Sequence, residues 1–141
     1  MRSYKKIGIE SMQTVVIVSV LIAFFLWGWY GSDVPKKYRR RYCTGREWKR
    51  RFPDVPKAEI RRFLSIVTQA FAFPVQASLQ FAPDDKILAI YRALYPTQWM
   101  ADALEIETLA GDIEREYCVD FMAIWHEELT LGELFAKLQQ H

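Results

Sequence analysis

Between Ser11 and Ser32 the chain runs for 22 residues without a charged side chain. Wound as an α-helix at about 1.5 Å per residue, the run is roughly 33 Å long, against a bilayer hydrocarbon core of about 30 Å. Its centre, VVIVSVLIAFFLWGWY, is β-branched and aromatic. Lipid overrides that preference, because only an internally bonded helix satisfies the backbone there. Trp27, Trp29 and Tyr30 gather at one end, where interface anchors sit. A cleaved signal peptide is the rival reading, but its apolar region spans about 7–15 residues and precedes a small-residue cleavage site. The sequence therefore predicts an amino-terminal flank over 1–10 and a single transmembrane helix over 11–32.

The flanks set the expected orientation. Arg2, Lys5 and Lys6 precede the run, while Lys36, Lys37, Arg39, Arg40, Arg41, Arg46, Lys49, Arg50 and Arg51 follow it. Positive residues stay on the cytoplasmic side, so the expected location is a bacterial inner (cytoplasmic) membrane with the carboxy-terminal domain in the cytoplasm. The small net charge of +2 conceals a division: residues 1–62 hold 15 Lys and Arg against 5 Asp and Glu, and residues 63–141 hold 4 against 12. The breakers of GSDVPKK and RFPDVPK mark 33–55 as a basic juxtamembrane linker. Within it KKYRRRYCTGREWKRR interleaves cations with Tyr38, Tyr42 and Trp48. Beside a membrane, those nine cations are candidate ligands for anionic lipid headgroups. Basic–aromatic interleaving also suits nucleic acid, but the expected span favours lipid, and no nucleic-acid partner is expected.

The remainder reads as all-α. Ile60, Phe63, Leu64, Val67 and Phe71 lie on one face of a helix over 56–71, ended by Phe73-Pro74. A segment over 83–94 has Asp84 and Asp85 in its first turn and stops at Tyr95-Pro96. A helix from Asp102, with Asp102 and Glu105 as a capping-box start, buries Ile106, Leu109, Ala110, Ile113 and Tyr117. FMAIWHEEL supplies one short turn of helix, and a last helix starts at Thr130 with Glu133 three residues on.

Chemistry-bearing motifs are scarce. The chain has no Gly-rich phosphate loop, G-x-S-x-G, C-x-x-C or H-E-x-x-H. His126 and His141 are far apart, and Cys43 and Cys118 form no disulfide framework. Neither catalytic residues nor a metal site nor a cofactor is expected, and an enzyme is disfavoured.

The stretches DALEIETLAGDIEREYCVDF (102–121) and TLGELFAKL (130–138) resemble the acyl carrier protein family. Asp102 and Leu104 match the flanks of the family's attachment serine. Leu109, Ile113, Glu114, Glu116 and Tyr117 match core and acidic positions, and Thr130, Gly132, Glu133 and Leu134 match the start of the last helix. The resemblance covers about 56–141. It implies a small four-helix bundle whose serine carries a phosphopantetheine arm and whose following helix docks basic patches on partner enzymes. Three departures bear on that. Ala103 occupies the serine position, Thr108 and Arg115 stand where acids are usual, and the connector is lengthened by 83–95. The resemblance thus implies partner-binding residues Asp102, Leu104, Ile106, Glu107, Gly111 and Glu114 on a carrier without an arm. The expected function is a membrane-tethered, carrier-like protein that docks protein partners such as acyl-transfer machinery. The alternative is a small single-span accessory subunit that stabilises a larger membrane complex.

Overall fold

Prolines punctuate the chain and its apolar spacings fill the intervals. The computed structural model describes residues 4–29, 33–95 and 103–141, with side chains in the first stretch given from Met12 to Leu26. In chain order the helices are α1 (Tyr4–Trp29), α2 (Lys36–Arg39), α3 (Gly45–Arg51), α4 (Lys57–Ala70), a 3-10 helix (Val75–Gln80), α5 (Ile87–Leu94), α6 (Leu104–Tyr117), α7 (Phe121–Ile124) and α8 (Leu131–Leu138). Pro35, Pro56 and Pro74 stand immediately before α2, α4 and the 3-10 helix, where a missing N–H costs nothing. Among the described residues there is no strand, only an isolated bridge between Lys86 and Thr130. The all-α expectation holds.

Two units divide the chain, residues 1–31 and 32–141. The first consists of α1, whose described apolar side chains, Phe24 and Phe25 among them, are exposed. Among the described residues, no helix is long and apolar enough to cross a membrane. This overturns the transmembrane helix over 11–32, the inner-membrane location and the orientation drawn from its flanks. The anchors assigned to the side chains of Trp27 and Trp29, and to Tyr30, lie outside the described residues, as do the side chains of Lys5 and Lys6 and all of Arg2. The accessory-subunit alternative loses the span on which it depended.

The second unit begins earlier than the sequence suggested. Residues 33–55 are not a linker beside a four-helix bundle; they fold into α2 and α3 and enter the same core. Trp48 is 0% exposed, and Tyr38 is buried with it. The Trp48 ring lies 5.9 Å from Phe52, 6.0 Å from Phe63 and 5.9 Å edge-on from Phe135, joining α3, α4 and α8. Its indole N–H donates to the Phe81 carbonyl at 2.8 Å. Thr44 reinforces the junction: its N–H donates to the Leu79 carbonyl at 2.8 Å, and its hydroxyl lies 2.8 Å from the carbonyls of Leu79 and Phe81.

Helix α4 is the central packing element, lying against the 3-10 helix and α6, with α7 on α6. Ile60, Phe63, Leu64 and Val67 are buried along it as their spacing predicts, and Leu109 and Ile113 face them from α6. Phe71, Phe73 and Phe81 stack in sequence at 5.6 and 5.5 Å.

Residues 82–86 join the segment before α3 to the start of α8. The expected helix start at Pro83 is instead a turn, and α5 begins at Ile87. Asp85 is 8% exposed; its carboxylate accepts from the Ala82 N–H at 2.7 Å and pairs with Arg41 at 2.6 Å. Backbone bonds from Ile87 to Leu129, Leu131 to Asp85 and Gly132 to Pro83 then fasten α8 to the turn. Gly132 has a steric reason to lack a side chain. A Cβ there would lie 2.9 Å from both the Cβ and the carbonyl oxygen of Pro83. Gly132→Ala is expected to destabilise the unit by about 1–3 kcal/mol, as overpacking does, and thermal unfolding of the variant checks it.

Helix α8 begins as its sequence predicts, with Thr130 Oγ1 accepting from the Glu133 N–H at 3.1 Å. The Glu133 carboxylate lies 3.1 Å from His126 Nε2 and 3.6 Å from Lys137 Nζ. The hydrogen bond with His126, aided by nearby positive charge, holds Glu133 below its ordinary value of 4.5. A carboxylate depressed in the folded state stabilises above its unfolded pKa and loses that contribution as pH falls through the folded value. Glu133→Gln should therefore flatten part of the stability loss below about pH 4.5, by roughly 0.2–1 kcal/mol for so exposed a pair. Melting curves at pH 5 and pH 3 measure it.

Candidate functional site

The surface that the sequence nominates is the outer face of α6, and α5 positions its start. Helix α6 begins at Leu104, with Ala103 as the N-cap in the left-handed region (φ 60°, ψ 10°) and no side-chain cap. An alanine held there costs roughly 1–2 kcal/mol. Two tyrosines one helical turn apart, with rings 5.3 Å apart, brace it. The Ala103 N–H donates to the Tyr91 hydroxyl at 2.8 Å, and the Tyr95 hydroxyl donates to the Glu105 carboxylate. The expected capping box is therefore replaced at Glu105, which takes a tyrosine hydroxyl, while Asp102 lies outside the described residues. Ala103 is a half-buried cap residue, one position before the helix that the sequence starts at Asp102. The Tyr91–Tyr95 brace was missed in the sequence; its signal is the i, i+4 tyrosine pair just before Pro96.

From that start, Leu104, Glu107, Thr108, Gly111 and Glu114 follow one another at helical spacing and are all exposed. Leu104 is 57% exposed, the most open apolar residue on this helix. Ile106, nominated with them but also assigned to the buried stripe of this helix, is half-buried and packs against the core, as the stripe predicts. The Thr108 hydroxyl donates back to the Leu104 carbonyl at 2.7 Å. Arg115 pairs with Asp112 at 2.7 Å, so the cation that breaks the acidic pattern also neutralises one of its acids. Glu114 Oε1 accepts from the Phe121 N–H at 3.3 Å, at the entry to α7. Among the described residues, Glu107 is the acid of this face that is exposed without such an engagement. Gly111 faces open space: nothing lies within 4 Å of the Cβ it lacks.

The basic residues nominated as lipid ligands are partly consumed by the fold. Arg39 donates to the Val34 carbonyl at 3.0 and 3.2 Å and lies 3.7 Å from Asp33. Arg41 is held by Asp85, and Arg51 pairs with Asp84 at 2.6 Å. Arg41 also sits 4.8 Å over the Tyr38 ring, and its bond to Asp85 raises its already high pKa. Lys49 donates to the carbonyls of Pro53 and Val55 at 2.7 and 2.8 Å. Lys37 lies 5.6 Å from the Tyr38 ring centre. Lys36, Arg40, Arg46 and Arg50 are exposed.

Among the described residues, no group of His, Cys, Asp and Glu could hold a metal ion. Cys43 and Cys118 are both free and exposed, and Cys118 caps the end of α6 in the left-handed region. Comparison with protein families, curated proteins and solved structures finds no match. The carrier-like reading thus rests on the residues of this chain.

Gly111 supplies a direct check on the geometry of this face. Glycine in an exposed helix interior is less favourable than alanine by about 0.5–1 kcal/mol. Gly111→Ala should raise stability by that amount, measured as a higher midpoint of denaturant unfolding with an unchanged slope. The opposite sign at Gly132 makes the pair a mutual control.

Proposed function

We propose that residues 33–141 act as an acyl-carrier-like docking domain with no phosphopantetheine arm, working by protein–protein contact and not by catalysis. The observation that carries this reading is the exposed row Leu104, Glu107, Thr108, Gly111 and Glu114. It begins beside Ala103, whose methyl side chain offers no oxygen for phosphodiester formation. A flat helical face with an apolar tip, a glycine that admits close approach and carboxylates alongside suits a basic partner surface. Acyl-transfer machinery that handles carriers is the partner class the resemblance implies.

Mass spectrometry after incubation with coenzyme A and a broad-specificity phosphopantetheinyl transferase tests both halves of the proposal. The natural chain is expected to keep its unmodified mass. The variant Ala103→Ser is expected to gain the arm, because Leu104 and the face beyond it are intact. Adding Glu107→Lys and Gly111→Arg to that variant should lower its labelling at least about tenfold while it remains folded, since like charges now meet across the interface. Labelling of the natural chain would overturn the armless reading. A folded Ala103→Ser variant that is never labelled would overturn the carrier-like reading of the face.

A further inference from the structure

Helices α3 and α4 flank a concave groove of about 340 Å³, separate from the α6 face. Arg46 and Lys49 enter it from α3, at i and i+3, and Lys57 and Arg61 from α4, at i and i+4. Between the cations lie Ile60, only 4% exposed, and the half-buried Leu79, with the exposed Cys43 thiol on the rim. Among the described residues, no carboxylate lines this groove. Arg46, Lys57 and Arg61 have no acidic partner among the described residues, whereas Arg39, Arg41, Arg51 and Arg62 each pair with one. The Lys49 ammonium already donates to two carbonyls, which fixes it in place and leaves its charge uncompensated. The larger cavity of about 460 Å³ nearby is different in kind, because Glu47, Asp84 and Asp85 line it with Arg41.

Like charges brought together on a partly apolar floor repel one another until an anion enters. Two guanidinium groups offer forked donors that match phosphate oxygens, and the ammonium groups add point charges. The volume lies at the lower end of the range for small-molecule sites. We propose that this groove binds a phosphate monoester carrying a small apolar group, with the phosphate between Arg46, Lys57 and Arg61 and the apolar group on Ile60 and Leu79. This inference is independent of the α6 docking face.

Isothermal titration of the full chain with phenyl phosphate, inorganic phosphate and benzyl alcohol tests it. Phenyl phosphate is expected to bind about tenfold more tightly than inorganic phosphate, because only the former covers the apolar floor. Benzyl alcohol, lacking the charge, should give no heat. Arg46→Ala with Arg61→Ala should weaken phenyl phosphate binding at least about tenfold, while Arg92→Ala, outside the groove, leaves it unchanged. A second readout needs no variant. Phenyl phosphate should slow alkylation of Cys43 by iodoacetamide and leave Cys118, exposed elsewhere, at its original rate. Equal affinity for the two phosphates, indifference to the double substitution, or equal protection of both cysteines would each overturn the proposal.

Discussion

The hydrogen bond from the Trp48 indole to the Phe81 carbonyl determines which part of this chain is a domain. Trp48 has no water to turn to, so its N–H must find an acceptor inside, and the backbone after the 3-10 helix supplies one. Thr44 takes the carbonyls of Leu79, in the last turn of the 3-10 helix, and of Phe81 just after it. The stretch they hold, 79–85, then presents Asp85 to Arg41 and Pro83 to Gly132, so α3, the turn and α8 close on one another. Phe63 and Phe135 complete the cluster around the indole. A segment whose composition suggests a solvated basic tether is thereby a structural wall of the folded unit.

This has a functional consequence for the charges. Those that pair with Asp33, Asp84 and Asp85 are committed to the fold, and only the remainder can recognise anything else. The unit then presents two unlike surfaces. One is the acid-bearing outer face of α6, braced at its start by Tyr91 and Tyr95. The other is the cationic groove between α3 and α4. A helix face without a cavity suits a protein, and a cavity without a carboxylate suits a small anion; neither needs a catalytic group from the chain.

The sequence made some of this legible and hid the rest for physical reasons. Helical periodicity located α4, α6 and α8 to within two residues at their starts, because Ile60, Leu109 and Leu131 belong to stripes that only one face of a helix can bury. The Thr130 cap was readable because it is a local, three-residue interaction. Local signals failed where distant residues intervene. Asp84 and Asp85 look like a helix start, but Asp85 is drawn into a turn by Arg41, 44 residues away. Glu105 looks like a capping-box partner, yet Tyr95 claims it. Trp48 sits among cations, so its neighbours advertised solvent while its own ring went to the core. Ile106 was nominated for the docking face from its match to a pattern, although its place on the helix turns it inward. The uncharged run Ser11–Ser32 constrained the reading most and misled it most. A count of residues without charge is not a measure of an apolar span.

Native-state hydrogen exchange of the Trp48 indole N–H, followed by NMR in the full chain, tests most directly whether the basic segment is integral to the domain. The account predicts that this proton exchanges as slowly as the amides of Leu64 and Val67 in α4, through unfolding of the whole unit. An indole that exchanges at the rate of a solvent-exposed ring, while those amides stay protected, would mean that residues 33–55 open on their own, and would contradict it.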